Sequence, residues 1–483
     1  LTREKVGIEK YDEVYNRIHC DSSIAYELAE YFTFSVPGAQ FTPQYKMKVW
    51  DGKIRLFNPA TRLLYGGLFT YVRKFCKERE YDVEYITDFS AEEFSEEEAK
   101  QFVEDLKPKF LPRDYQLEAF IYGVRYRRGV LVSPTASGKS FIIYLLTRWF
   151  SKKTLIIVPT TSLVHQMYSD FEDYGFNSEK FCHKIYSGQE KMDIQKPVTI
   201  TTWQSIYKMP KKWFEQFEVC IGDEAHLFKA KSLTSIMTKL INCKYRYGFT
   251  GTLDGTQTHK LVLEGLFGAV RQVTTTAELI EKKQLSDFYI KAIVLSYPDE
   301  VRQMIKGQDY HDEVDYIVRN NARNNFIKNL ALSTKGNTLV LFQFVEKHGK
   351  ELLKIIEDSN KQVAYVTGEV DGLAREEIRK LAEQHDDMII LASYGTFSTG
   401  VNVKNIHNII FASPSKSRVR NLQSIGRGLR LNDNKERCIL YDIADDLTWK
   451  SKKNHTILHF AERIKIYNEE KFDYKIYTVK LKV

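Results

Sequence analysis

Ser133-Pro-Thr-Ala-Ser-Gly-Lys-Ser140 lies between two apolar runs, Gly129-Val-Leu-Val132 before it and Phe141-Ile-Ile-Tyr-Leu-Leu146 after it. The first run suits a buried strand and the second continues as a helix, so the stretch between them reads as a strand-to-helix loop. Small residues there let backbone N–H groups turn inward onto phosphate oxygens, and a helix N-terminus adds favourable partial charge. Thr135, Ala136, Ser137 and Gly138 are the expected cradle, Lys139 the cation for the β- and γ-phosphates, and Ser140 a hydroxyl that helps hold Mg2+. ATP and Mg2+ are therefore the expected cofactors. Ser133 stands where the strict pattern has its first glycine. Taken alone, Gly-Lys-Ser after a strand also reads as a helix N-cap, and the rest of the chain has to decide.

At 483 residues the chain should hold about three domains of roughly 150 residues each. A hydrophobic content of 43% with 28% charged residues is ordinary for a globular protein and speaks against disorder. The net charge of +8 favours a polyanionic partner without demanding one. Cys20, Cys76, Cys182, Cys220, Cys243 and Cys438 form no Cys-x-x-Cys pair and no metal-ligand spacing with histidine, which fits free thiols in a reducing compartment. No apolar run reaches the length of a membrane span and no signal-type segment opens the chain, so a cytoplasmic location and no membrane partner are expected.

Residues 1–87 read as a small α+β domain. Within it, Tyr45-Lys-Met-Lys-Val-Trp-Asp-Gly-Lys-Ile-Arg-Leu-Phe57 alternates on both sides of Asp51-Gly52, the signature of a two-residue hairpin. That register sets Trp50 opposite Lys53 and Lys48 opposite Arg55, like charges whose repulsion an anion would relieve. With Lys46 they form a basic face carrying an aromatic ring. Two readings stand side by side: a contact with nucleic acid, or a solvated strand face with Trp50 covering a core edge. Residues 88–108 turn acidic, with Glu92, Glu93, Glu96, Glu97 and Glu98, and read as a solvated helix and linker.

From about residue 109, strand-like runs alternate with amphipathic segments: 154–158, 198–201, 218–222 and 245–249. The pattern restarts at 337–342, 362–366, 388–392, 407–411 and 437–441. Such alternation implies α/β units with parallel sheets covered on both faces. The expected architecture is two tandem RecA-like domains, 109–285 and 286–449, after the small α+β domain, with a basic tail, 450–483, packing on the second. Glu218-Val-Cys-Ile-Gly-Asp-Glu-Ala-His226 then puts two carboxylates at the end of a buried strand. There Asp223 can hold the metal, with Glu224 in reach, and Glu224 can orient or deprotonate an attacking water.

Asp223-Glu-Ala-His226 resembles the DEAH form of the superfamily 2 helicase Walker B box, and other boxes of that superfamily follow in order. Arg113-Asp-Tyr-Gln116 resembles the adenine-reading segment. Val158-Pro-Thr-Thr-Ser162 and Thr201-Thr-Trp-Gln204 resemble the two strand-tracking motifs, which implies that Thr160 and Thr202 touch nucleic acid. Thr250-Gly-Thr252 resembles the motif that couples hydrolysis to movement. Ser398-Thr-Gly-Val-Asn402 resembles the fifth motif, with Gly400 and Asn402 at the nucleotide, and Gln423-Ser-Ile-Gly-Arg-Gly-Leu-Arg430 the sixth. ATP held between two domains needs cations from the far domain, so Arg430 is the expected arginine finger, with Arg427 beside it.

The resemblance extends to the UvsW recombination helicases of tailed phages over nearly the whole chain, on Trp50-Asp-Gly-Lys-Ile-Arg55, Pro134-Thr-Ala-Ser-Gly-Lys-Ser140, Gly368-Glu-Val-Asp371 and Ala392-Ser-Tyr-Gly-Thr-Phe-Ser-Thr-Gly400. It implies an ATP-dependent DNA helicase or translocase acting on branched DNA (forks, Holliday junctions, D-loops or R-loops) in recombination, replication-fork processing and repair. It implies single- and double-stranded DNA as partners, RNA within R-loops, phage recombination or replication proteins, and the host-cell cytoplasm. Ala225 stands where the family can carry Cys, and Asn402 where it can carry Ser. Two alternatives are weighed against this: an RNA helicase, and a non-unwinding nucleic-acid clamp or annealing protein with ATP as a switch. Gln423 and Thr-Gly-Thr in place of the boxes usual in DEAD-box proteins argue against the first, and intact Lys139, Glu224 and Arg430 against the second.

Overall fold

The computed structural model describes residues 4–482 apart from 187–190, 193, 228–229, 254–256, 371, 397–402, 404, 415–416, 418–423, 427–428 and 430–436. The chain divides into two compact units, residues 1–133 with 138–273, and residues 274–483 with 134–137. Together they form an α/β protein with a small α+β domain ahead of two parallel-sheet domains.

In the first unit, β1 (Lys5–Lys10), β2 (Tyr15–His19), β5 (Phe57–Asn58), β6 (Leu63–Tyr65) and β7 (Asp82–Tyr85) form a mixed sheet in the order β5-β6-β2-β1-β7. Helices Ser22–Tyr31 and Phe69–Glu78 bury Ile24, Leu28, Val72 and Phe75 against it. The next sheet is wholly parallel: β8 (Arg128–Val132), β9 (Thr154–Val158), β10 (Cys182–Ile185), β11 (Val198–Thr202), β12 (Val219–Gly222), β13 (Tyr245–Thr250) and β14 (Val270–Gln272), ordered β10-β11-β9-β12-β13-β8-β14. The expected strands of this domain all appear. Edge strands β10 and β14 escaped the sequence reading because they are short and carry charged or polar residues.

The small domain does not have a core of its own. Its apolar residues run on into those beneath the parallel sheet, from Val6 and Leu64 to Val130, Leu261 and Phe267. Tyr71 donates a hydrogen bond of 2.6 Å to Glu264 Oε2, and a Cβ at Gly67 would come within 1.8 Å of Glu264 O, so only glycine permits that approach. The expected linker at 88–108 is likewise part of the packed structure. Helix Glu96–Leu106 opens on a Ser95/Glu98 capping box and buries Ala99 and Val103 with Phe120, while Phe94 and Phe102 pack on Trp149. Its glutamates lie in the first turn, where carboxylates favour the helix dipole. The acidity marks a helix start, not a tether.

The expected hairpin at 45–57 is absent. Pro43 at the first helical position and the Thr42 cap start a short helix, Pro43–Lys46, and Lys48 leaves it in the left-handed region at φ 56°. Strand β4 (Lys53–Arg55) pairs with β3 (Thr33–Ser35), setting Thr33 opposite Arg55 and Ser35 opposite Lys53. Lys48 therefore never faces Arg55, whose guanidinium holds Asp51 instead. Five alternating residues are too few to separate a strand from a helical turn, and β3, which supplies the pairing, lies some twenty residues upstream.

The second unit is built on β15 (Asp287–Ser296), β16 (Thr338–Phe342), β17 (Val363–Val366), β18 (Ile389–Ser393), β19 (Asn408–Phe411), β20 (Arg437–Asp446) and β21 (Tyr474–Lys480), all parallel in the order β17-β18-β16-β19-β20-β15-β21. The C-terminal stretch is thus integral to the domain and not a tail laid upon it. β21 extends the sheet beside β15, and helix His455–Glu469 covers one face, with Arg463 on Asp442 at 2.8 Å and Tyr467 OH donating to the same carboxylate at 2.8 Å. On the other face Arg323, from helix Asn321–Ser333, meets Asp445 at 2.7 Å, and both are fully buried.

Candidate active site

Five segments meet at the C-terminal edge of the first parallel sheet, the edge where α/β folds bind ligands. The phosphate-type loop leaves β8 through Ser133, which is buried and whose N–H donates to Thr250 O at 2.9 Å. Thr135, Ala136 and Ser137 make the turn, with Ala136 at φ 68° and Gly138 at φ 76°. Left-handed backbone at two nearby positions is what turns successive N–H groups toward one point. Gly138 is required there twice over, by its φ and because a Cβ would meet Gln116 Nε2 at 2.5 Å. Lys139 and Ser140 open helix Lys139–Phe150.

Lys139 Nζ lies 3.4 Å from Ser133 O and 3.4 Å from Glu224 Oε1, joining the loop to the acidic pair. Asp223 continues β12 and is held in the ladder by its N–H to Ile157 O at 2.9 Å. Burial, with the Glu224 charge beside it, pushes the Asp223 carboxyl well above the usual carboxylate range. Glu224 adopts φ 50°, a left-handed backbone that costs a non-glycine residue about 1 kcal/mol. Its N–H donates to Asp223 Oδ1 at 2.9 Å, which fixes the two carboxylates relative to each other.

From Glu224 a polar chain continues through His226, whose Nδ1 is 3.4 Å from Glu224 Oε2 and 2.6 Å from Thr250 Oγ1. Thr250 Oγ1 donates its single proton to Thr252 O at 2.7 Å. It must therefore accept from His226, so the imidazole carries its proton on Nδ1. Lys139, Glu224, His226 and Thr250 form one continuous set of contacts from the loop to the end of β13.

Gln116 is buried and braces the loop: its Oε1 accepts from Arg113 N at 2.9 Å and its Nε2 donates to Gly138 O at 3.3 Å. Arg113 donates through Nη1 to Tyr115 OH at 3.0 Å. Thr202 ends β11, and Thr160 lies two residues beyond the end of the neighbouring strand β9. Thr160 caps helix Thr161–Asp173, the Thr202 hydroxyl is 2.9 Å from Ser205 Oγ, and Gln204 ties the two segments by donating to Pro159 O at 3.3 Å. Gly400, Asn402, Arg427 and Arg430 lie outside the described residues.

One member of the site left no trace in the sequence reading. Tyr174, after the end of helix Thr161–Asp173, places its OH 2.7 Å from Ser140 Oγ. Its phenol is pushed well above the ordinary tyrosine range, chiefly by burial. It is 34 residues from Ser140, and no local pattern announces the contact. In the small domain, Lys46, Lys48, Trp50, Lys53 and Arg55 do not form the expected face. Lys46 and Lys48 are exposed, Trp50 Nε1 donates to Lys53 O at 2.9 Å, and Arg55 holds the Asp51 carboxyl down to about 2.

Comparison with known proteins places these elements in context. Residues 5–86 match the family described as "DNA helicase UvsW, N-terminal", residues 79–255 "Type III restriction enzyme, res subunit", and residues 322–432 "Helicase conserved C-terminal domain". The ATP-dependent DNA helicase uvsW of Enterobacteria phage T4 is 36% identical across 99% of this chain and 100% of its own length. DNA 3'-5' translocase XPB2 of Sulfurisphaera tokodaii is 26% identical over 68% of this chain and 80% of its own. The crystal structure of T4 UvsW aligns over 99% of this chain and 100% of that one, with a TM-score of 0.53 and 34% identity. The DNA-bound Type ISP restriction-modification enzyme LlaBIII shares the fold at 15% identity, with a TM-score of 0.57 over 84% of this chain and 34% of its own.

Proposed function

Since the chain belongs to the family of the UvsW DNA helicases, we propose that it is an ATP-dependent DNA helicase or translocase that remodels branched DNA in recombination, fork processing and repair. The observation that carries the reading is the chain of contacts from Lys139 through Glu224 and His226 to Thr250. A group that senses the γ-phosphate is thereby connected to the end of a different strand, the arrangement a motor needs if hydrolysis is to be felt away from the nucleotide.

In this reading Thr135 to Ser140 cradle the phosphates as a Walker A loop, while Lys139 neutralises developing charge on the transferred group. Ser140 and Asp223, with Glu224 in reach, would hold Mg2+, which would supply neutralisation of phosphate charge. The fit rests on a buried carboxyl crowded by a second one, a pair that a divalent cation relieves. Glu224 orients the attacking water and accepts its proton. Arg113 and Gln116 face the base, Gly400 and Asn402 complete the nucleotide site, and Arg427 with Arg430 furnish the cations that stabilise the transition state. Thr160 and Thr202, at or just beyond adjacent strand ends, contact the phosphates of a tracked strand. Lys46 and Lys48, exposed in the small domain, add charge for a duplex arm, alongside Trp50, Lys53 and Arg55.

Steady-state ATPase rates with no nucleic acid, single-stranded DNA, duplex DNA, forked DNA and single-stranded RNA at one salt concentration test the proposal. Forked DNA should stimulate most. Best stimulation by RNA would transfer the activity to the RNA-helicase class, and none at all would favour a clamp. Lys139→Ala should lower turnover by at least about 10³-fold, and retained hydrolysis would overturn the site assignment.

A further inference from the structure

Like charges that do not face each other at residues 48 and 55 do so in the second unit, on β15 and β21. β15 and β20 are ten residues long, twice the length of neighbours such as β16 and β18. The C-terminal halves of β15, β20 and β21 place Ile293, Leu295, Ile443 and Val479 in or against the core shared with Ile305, Ile317 and Ile327. Tyr441, in the N-terminal half of β20, packs against the edge of that core, whereas Tyr289 and Tyr477 do not contribute to it. On the same face as Ile293, period-two alternation puts Tyr289 and Lys291 on β15, Tyr441 on β20, and Lys475 and Tyr477 on β21.

Lys291 is directly opposite Lys475 in the parallel register, and Lys291 also pairs with Tyr441. Neither lysine has an ion-pair partner among the described residues. Lys291 Nζ lies 5.4 Å from the Tyr441 ring centroid, and Lys475 Nζ lies 5.5 Å from that of Tyr477. β21 is the edge strand, and Tyr477 is 37% exposed. Adjacent strands are about 4.8 Å apart, so two lysines without a carboxylate partner among the described residues leave neighbouring positions of the sheet beside tyrosine rings.

We infer that this face, Tyr289, Lys291, Tyr441, Lys475 and Tyr477, binds single-stranded DNA as a second contact surface. Backbone phosphates sit over the two lysines and a base stacks on Tyr477. Charge complementarity selects the occupant, because two lysines on adjacent strands with no carboxylate partner among the described residues suit the phosphodiesters of one strand. Rings on a β-sheet interleaved with cations are a stacking platform for unpaired bases. A duplex keeps its bases stacked inside and cannot use the rings. The surface lies toward the N-terminal ends of β15 and β21, away from Ser393 at the C-terminal end of β18, and it engages a strand longer than the motor's own footprint.

The inference rests on the DNA-translocase reading, and anisotropy titrations of the full chain separate the two. Oligo-dT of about 8 and about 40 nucleotides is compared across a salt series. Lys291→Gln/Lys475→Gln should weaken binding of the long oligonucleotide and reduce its log–log salt slope by about 1.4, or 0.7 per phosphate, while leaving the short one unchanged. Tyr477→Ala should cost the long oligonucleotide about tenfold and Tyr477→Phe little, because the ring survives. ATPase saturated with the short oligonucleotide should be the same in every variant, which reports an intact fold. Unchanged affinity and slope for the long strand, or equal losses on both lengths, overturns the platform. So does equal weakening by Tyr477→Ala and Tyr477→Phe, which would assign the effect to the Tyr477 hydroxyl and not to its ring. Failure of the unsubstituted protein to bind either oligonucleotide would instead overturn the DNA reading itself.

Discussion

Ser140 Oγ and Tyr174 OH are 2.7 Å apart, which makes the phenol the competitor of any metal that uses the serine hydroxyl. Removing that oxygen frees Ser140 without disturbing the ring, which packs against Phe141 and Tyr144. Tyr174→Phe is expected to lower the Mg2+ concentration for half-maximal ATPase by about fivefold, the worth of one hydrogen bond. An unchanged or raised Mg2+ requirement would place the metal away from Ser140.

Asp223 offers a separation of stability from activity. A carboxyl raised by burial holds its proton more tightly in the folded chain than in the unfolded one. Its stabilising contribution is complete below the unfolded value near 4 and is lost as pH rises through the folded value. Without nucleotide, Asp223→Asn should therefore raise Tm by about 2–4 °C at pH 8 and leave it nearly unchanged at pH 4, while abolishing turnover. A lower Tm at pH 8 in a calorimetric scan would contradict the buried-charge account.

The contact between His226 and Thr250 predicts uncoupling. Thr250→Val keeps the shape of β13 but removes the oxygen 2.6 Å from His226 Nδ1 and the donor to Thr252 O. ATPase stimulated by DNA should stay within about tenfold of the parent, while strand displacement per ATP hydrolysed falls much further. Equal losses in both assays would make the contact a plain part of the hydrolysis site.

In the second unit, Arg463 and Asp442 are both buried, and the carboxylate also accepts from Tyr467. Truncating the arginine leaves an unpaired charge inside, so Arg463→Ala should cost about 3–5 kcal/mol in denaturant unfolding. The double variant Arg463→Met/Asp442→Leu should recover most of that. If the double is as unstable as the single, packing and not charge is what Arg463 contributes.

Much of the site was legible because its signals are local. Lys139 and Ser140 follow a strand and open a helix, and Asp223 and Glu224 end a strand made of Val219-Cys-Ile-Gly222, so adjacency in the chain carries the chemistry. The motif places Gln116 at the base as an expectation, and its side chain also bonds Arg113 N and Gly138 O, a bracing contact that spacing does not reveal. Tyr174 was missed because nothing in residues 170–176 distinguishes a ring facing Ser140 from the aromatic neighbours that fill the core. Alternation on both sides of Asp51-Gly52 suggests a hairpin, but Pro43 and the Thr42 cap set a helical turn in its first half.

The sequence by itself determined the two parallel sheets, the order of the motifs along them, and the residue types at the nucleotide edge, since each depends on periodicity or spacing within a few residues. Tertiary structure decided which distant groups meet: Tyr174 with Ser140, Glu264 with Tyr71, β3 with β4, and Lys475 with Lys291. Those pairings depend on how strands are ordered within a sheet and on which face each side chain occupies. Sheet order is settled by the burial of whole faces against one another, a sum over many residues that no short stretch of chain contains.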